Sequence, residues 1–233
     1  LCNLGRFEEA LAEVARARAI GAERADPRIH SYSSWNAGWI QATRGEWEAA
    51  IADCTESLET SPDSLNSSYS MGWLGFSYRE KGDMGEAIRH LERSIALLTE
   101  FRYSRLIAWF KAWLSEAHLG AGDIDQALAA ADQALRVARE LRYPWGMATA
   151  RRALGRIAVA RGALGEAERH LGEALASLEA MGARFDAACV RLSLAEVAAR
   201  RGDGDLAGSR LAACLADFDD LRTPRWTDRA LRL

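Results

Sequence analysis

One short pattern, a glycine with an alanine five residues after it, occurs six times along this chain. It reads GRFEEA at Gly5, GEWEAA at Gly45, GDMGEA at Gly82, GDIDQA at Gly122, GALGEA at Gly162 and GDGDLA at Gly202. Successive glycines are 40, 37, 40, 40 and 40 residues apart, and Ala10, Ala50, Ala87, Ala127, Ala167 and Ala207 keep the same place in each copy. A period of about 40 commits a chain to one supersecondary unit, used repeatedly, that buries its apolar face only by stacking on its neighbours.

The residues around each glycine say what the unit is. A basic residue often precedes it (Arg44, Lys81, Arg161, Arg201) and an acidic one usually follows (Glu46, Asp83, Asp123, Asp203). The cation suits the negative end of a finishing helix, glycine accepts the left-handed cap, and the acid suits the start of the next helix. Asp83 with Glu86, and Asp123 with Gln126, have capping-box spacing. Pro27, Pro62, Pro144 and Pro224 fall between one unit and the next, so none interrupts a helix. The spacing predicts first helices near 29–44, 65–81, 104–121, 144–161 and 184–201, and second helices near 6–21, 46–59, 83–99, 123–141, 163–181 and 203–220.

These residues resemble the tetratricopeptide repeat, whose first helix carries W-x2-L-G-x2-Y, followed by A-x3-F and a closing proline. Leu74-Gly75 with Tyr78 reproduces the L-G-x2-Y portion, Leu154-Gly155 reproduces L-G, and Gly38 and Pro62 match in the second copy. Ser115 and Ala195 replace the first-helix glycine, and the period exceeds the family's usual 34, which longer helices explain. The resemblance implies an all-α, right-handed α-solenoid of antiparallel helix pairs with about five and a half repeats. Its units would be 1–24 (partial), 25–62, 63–102, 103–142, 143–182, 183–222 and 223–233 (partial). The long-helix style is similar to the repeat tails of large bacterial signalling proteins joined to an ATPase module or a nucleotide cyclase.

Two stripes of the first helix have different roles. Positions 11, 8, 7 and 4 before each glycine share one face, as in Met71, Leu74, Gly75 and Tyr78, and form the packing stripe. Positions 13, 10, 9 and 6 lie roughly 150° away. The resemblance implies that this second stripe lines a concave groove where ligands bind. Its occupants are Tyr32, Trp35 and Trp39, then Tyr69, Trp73 and Phe76, then Trp109 and Trp113. Family members that clamp a peptide's terminal carboxylate place lysine, asparagine and arginine at five groove positions. The matching residues here are Trp35, Trp39, Trp73, Trp109 and Trp113, so an aromatic docking surface replaces such a clamp. Arg79, Arg152 and Arg156 project to the same side and are candidates for an anionic ligand end. A second reading stays open for both sets: the rings pack between adjacent first helices, and the arginines pair with Glu116.

Composition narrows the function. Thirty basic residues against 33 acidic ones give a net charge of −3, without the basic excess of a nucleic-acid binder. Cys2, Cys54, Cys189 and Cys214 are scattered without metal-ligand spacing, which fits a reducing, cytoplasmic setting with no cofactor or metal. No apolar run reaches the roughly 20 residues needed to cross a bilayer. No catalytic fingerprint such as HExxH, a P-loop or GxSxG occurs, so an enzyme is not expected. The expected role is a scaffold or sensor that binds a protein or peptide, within a larger regulatory protein. Small-molecule sensing and a purely structural spacer are the rival readings. Incomplete terminal repeats lead to a further expectation, end-to-end self-association.

Overall fold

The computed structural model describes residues 1–233. A single 3-10 turn at Cys2–Leu4 leads into twelve α-helices and no strand. The second helices of the repeats are α1 (Phe7–Arg24), α3 (Trp47–Glu59), α5 (Met84–Glu100), α7 (Ile124–Glu140), α9 (Leu164–Ala180) and α11 (Gly204–Asp220). The first helices are α2 (Pro27–Arg44), α4 (Ser64–Lys81), α6 (Ser104–Gly120), α8 (Pro144–Ala160), α10 (Arg184–Arg200) and the short α12 (Pro224–Ala230). The 37-residue copy is short because α3 has 13 residues where α5 has 17.

Local chemistry sets these boundaries. Gly45, Gly82, Gly122, Gly162 and Gly202 all have φ between +74° and +92°, the left-handed conformation a helix-to-helix turn needs. Asp83, Asp123 and Asp203 each accept a hydrogen bond from the backbone N–H three residues on, at 3.2, 3.0 and 3.0 Å. Only this half of the expected capping box forms at Asp83, since Glu86 turns outward to Arg89. Pro27, Pro144 and Pro224 open α2, α8 and α12, where a missing N–H costs nothing.

Each hairpin closes through its packing stripe. A Cβ added to Gly38 would lie 2.3 Å from Cys54 Sγ; one on Gly75 would lie 2.5 Å from Leu91 Cγ, and one on Gly155 2.6 Å from Leu171 Cγ. The alanines opposite, Ala50, Ala87, Ala127 and Ala167, are wholly buried. A serine cluster joins α2, α3 and α4: Ser31 Oγ donates to Ser57 O at 2.9 Å, and Ser70 Oγ donates to Ser57 Oγ at 2.8 Å.

The array then curls until its two ends meet. The Cys2–Leu4 turn packs on α10, and α12 packs on α2. A Cβ on Gly5 would collide with Leu221 Cδ2 at 2.2 Å, so the first and last hairpins touch side to side. The total accessible surface is 10712 Å² for 25.6 kDa. Size scaling gives about 10,400 Å² for a globular monomer of that mass. An open solenoid exposes well above this; the closed turn stays within about 3% of it. The faces that the sequence leaves uncovered at the two ends are therefore packed against each other within the molecule.

Candidate functional site

The second stripe of α2, α4 and α6 forms one continuous aromatic column. Trp35 stacks on Tyr69 with ring centres 4.9 Å apart, and Trp39 stacks on Trp73 at 5.2 Å. Trp73 meets Trp113 edge-on at 4.7 Å and Trp109 at 5.5 Å, Phe76 meets Trp113 at 4.7 Å, and Trp145 of α8 extends the column beyond Trp109 at 6.1 Å. Such pairs contribute about 0.5–1.5 kcal/mol each beyond their buried area.

The column does not line an open groove. Trp35, Trp73, Phe76, Trp109 and Trp113 are buried, Trp39 and Tyr69 are half-buried, and Tyr32 alone is exposed, at 53%. The expectation of a free aromatic surface is corrected here, and the cause is closure of the array. Cys2 and Asn3 of the N-terminal turn, with Phe185 and Asp186 of α10, sit across the concave face from Trp39, Trp73, Trp109 and Trp113. The space left between them is about 20 Å³, room for one water.

Beyond the column the concave side turns ionic. Arg152 donates to Glu116 from both Nε and Nη2 at 2.9 Å, and Arg156 Nη1 adds a third bond at 3.0 Å. Arg79 Nη1 lies 3.1 Å from the same carboxylate, and the Arg79 guanidinium also binds Glu80, which in turn pairs with Arg229 of α12. Arg79, Glu80 and Glu116 have side chains no more than 4% exposed. Burial works against ionising Glu116, but Arg152, Arg79 and Arg156 outweigh it and hold the carboxyl at about 2. Burial likewise opposes ionising Glu80, and Arg79 and Arg229 overcome it, leaving its pKa below the ordinary value. Asp186 differs: burial pushes it up to about 6, against the pull of Arg152 and helped by the charge of Glu116. The arginines named from the sequence are thus engaged with Glu116, as the second reading had it, and not free.

A cavity of about 220 Å³ lies among α8, α10 and α12, walled by Arg152, Arg156, Arg229 and Arg232 with Glu80 and Glu196, and with Leu192 and Trp226 supplying apolar surface. Glu196 is already paired with Arg200 at 2.9 Å. Four arginines and two glutamates line this mouth; Glu116 holds Arg152 and Arg156, Glu80 holds Arg229, and Arg232 is in no ion pair. Of the residues predicted from sequence, only Arg152 and Arg156 reach it. Leu192, ten before Gly202, falls on the second stripe; Trp226 and Arg229 were not legible as site residues because no turn glycine follows them to fix a register, and Glu80 lies outside the stripe positions. The flanking of Trp226 by Arg225 and Arg229 was the one available signal. No group of three His, Cys, Asp or Glu side chains converges as metal ligands, and no helix is long and apolar enough to cross a membrane.

The family model of the tetratricopeptide repeat matches residues 64–140, the segment from α4 to α7. No curated protein matches the chain in sequence. Among solved structures, a Rap protein complexed with Competence and Sporulation Factor superposes with a TM-score of 0.73 at 18% identity, covering 82% of this chain and 56% of that one. A signal transduction ATPase with numerous domains and a tetratricopeptide repeat sensor, from Pyrococcus horikoshii, gives 0.61 at 20%, covering 96% of this chain and 35% of that one. A thermophilic tetratricopeptide repeat protein of Thermus thermophilus gives 0.63 at 25%, covering 87% and 100%. The chain thus spans about half of the first of these structures and a third of the second. Residues 64–140 match the tetratricopeptide-repeat model, and the chain as a whole has the fold of these structures, an all-α solenoid of helix pairs.

Proposed function

We propose that the array is a docking scaffold for a protein or peptide, serving as the recognition part of a larger regulatory protein. The mouth between α8, α10 and α12 carries the reading: it combines the unpaired Arg232 and the partly exposed Arg156 with the apolar surface of Leu192 and Trp226 in a cavity of about 220 Å³. That chemistry suits a segment with an acidic group beside an apolar side chain, because guanidinium binds carboxylate in a directed way and a ring supplies contact area. The likeness to a Rap protein complexed with Competence and Sporulation Factor, and to an ATPase carrying a repeat sensor, supports a recognition role. Within this reading Trp35, Trp73, Phe76, Trp109 and Trp113 serve as core of the closed array, while Tyr32 is exposed and Trp39 and Tyr69 are half-buried.

The test is a peptide array scoring acidic-apolar segments against their charge-reversed counterparts, on the wild-type chain and on Arg156→Glu. Acidic-apolar peptides are expected to be retained by the wild type and lost from the variant. Retention that ignores both the peptide's charge and the substitution would remove the mouth from consideration and leave the array as a spacer.

A further inference from the structure

The closure of the array is made by chemically specific contacts. Trp226 Nε1 donates to the Thr43 carbonyl at 2.9 Å, across 183 residues of sequence. Thr43 lies in the last turn of α2, where carbonyls have no partner within the helix, so this seat offers an acceptor at the negative end of a helix dipole. Arg225 reaches Glu48 at 2.7 Å and lies over the Trp47 ring at 5.2 Å, while Arg229 pairs with Glu80. Trp47 meets Trp226 edge-on at 6.0 Å, and a Cβ added to Gly45 would press on Arg225 Cβ at 3.1 Å. The seat therefore has one carbonyl for an indole N–H, one ring for a cation, and two carboxylates set for two arginines.

The segment α12 fills it, with Trp226 also packed from the other side by Phe185 and Phe218 at 5.1 and 6.1 Å. We propose that this surface of α2, α3 and α4 is a docking seat for a short helical segment of the form Arg-Trp-x-x-Arg in a partner protein, and that α12 occupies it in cis as an autoinhibitory stand-in. The proposal rests on reading the array as a docking scaffold. It adds the partner's chemistry, a cationic segment with a tryptophan anchor, and a means of control, since the partner must displace α12 to reach Thr43, Glu48 and Glu80.

The probe is a labelled peptide of residues 221–233, titrated by fluorescence anisotropy into three full-length proteins. These are the wild type, a vacated-seat variant (Trp226→Ala with Arg229→Glu), and that variant with Glu48→Lys and Glu80→Lys added. Circular dichroism checks that each is folded, and Arg225→Ala with Arg229→Ala replaces the vacated variant if the first pair does not fold. The peptide is expected to bind the vacated protein at least tenfold more tightly than the wild type, and to lose that gain when the seat's charges are reversed. Equal binding to all three, or none to the folded vacated protein, would overturn the proposal. A wild-type dimer dissociated by Glu80→Lys would also overturn it, by making the occupant a second copy of the chain. Binding of acidic peptides at the α8–α10 mouth is measured separately on the wild type, so the scaffold reading stands or falls independently.

Discussion

Glu116 is the side chain on which the concave interior turns. Removing its charge leaves Arg152 and Arg156 without their carboxylate and Arg79 with Glu80 alone, and breaking a buried ion network by deleting one partner costs about 3–5 kcal/mol. Glu116→Gln is expected to lower the urea midpoint accordingly, and adding Arg152→Gln should recover part of the loss because fewer cations then lack an anion. Glu116 and Asp186 impose opposite pH dependence. The carboxyl of Glu116 is held at about 2, so its stabilising contribution is full above pH 4.5 and drains away as pH falls toward 2. Asp186 is raised from the usual 3.8 to about 6, so its contribution is full in the protonated state below pH 4 and disappears as pH rises through 6. Asp186→Asn should flatten the fall in stability between pH 4 and 6 seen in denaturant titrations; a profile unchanged in that window would contradict the assignment. The alignment of Trp35, Trp39, Trp73, Trp109 and Trp113 on one stripe was readable from spacing. Their packing between adjacent first helices was one of two readings the spacing left open; that Cys2 and Phe185 also cover Trp39, Trp73, Trp109 and Trp113 was not readable, because they lie far away in sequence.

At the scale of the helix and its turns, sequence and structure agree closely, and the reason is that caps are local. The six Gly-to-Ala registers mark helix ends through left-handed glycines and aspartate caps, each decided within a few residues. Gly122 has φ +84° and nothing within 4 Å of an added Cβ, so Gly122→Ala isolates the backbone term. It is expected to cost about 1–2 kcal/mol. Gly75→Ala meets Leu91 at 2.5 Å and should cost about 1–3 kcal/mol through overpacking, at an ordinary helical φ. Equal, negligible losses at both positions in thermal unfolding would contradict this division. Less legible were the turns that lead from second to first helices, where Ala25, Arg102, Arg142 and Arg222 adopt positive φ and only Gly182 has the residue type that favours it. Those turns carried no glycine signal to read.

For the whole molecule, the decisive quantity is curvature. A repeat period says that units stack, but the small rotation from one unit to the next decides whether the array stays open, and that rotation is set by contacts spread over every interface. Here it brings Trp226 to Thr43 and Arg229 to Glu80, and converts an expected groove lining into a core. Trp73→Ala should accordingly cost about 3–5 kcal/mol, the range for truncating a buried aromatic, where an exposed groove residue would cost little. Small-angle scattering from the intact chain at low concentration tests closure most directly. A closed array of this length should have a radius of gyration of about 17–18 Å, rising when Trp226→Ala and Arg229→Glu release α12. A wild-type value well above that, insensitive to the two substitutions, would mean that the array is open in solution and that its aromatic column is not a closed core.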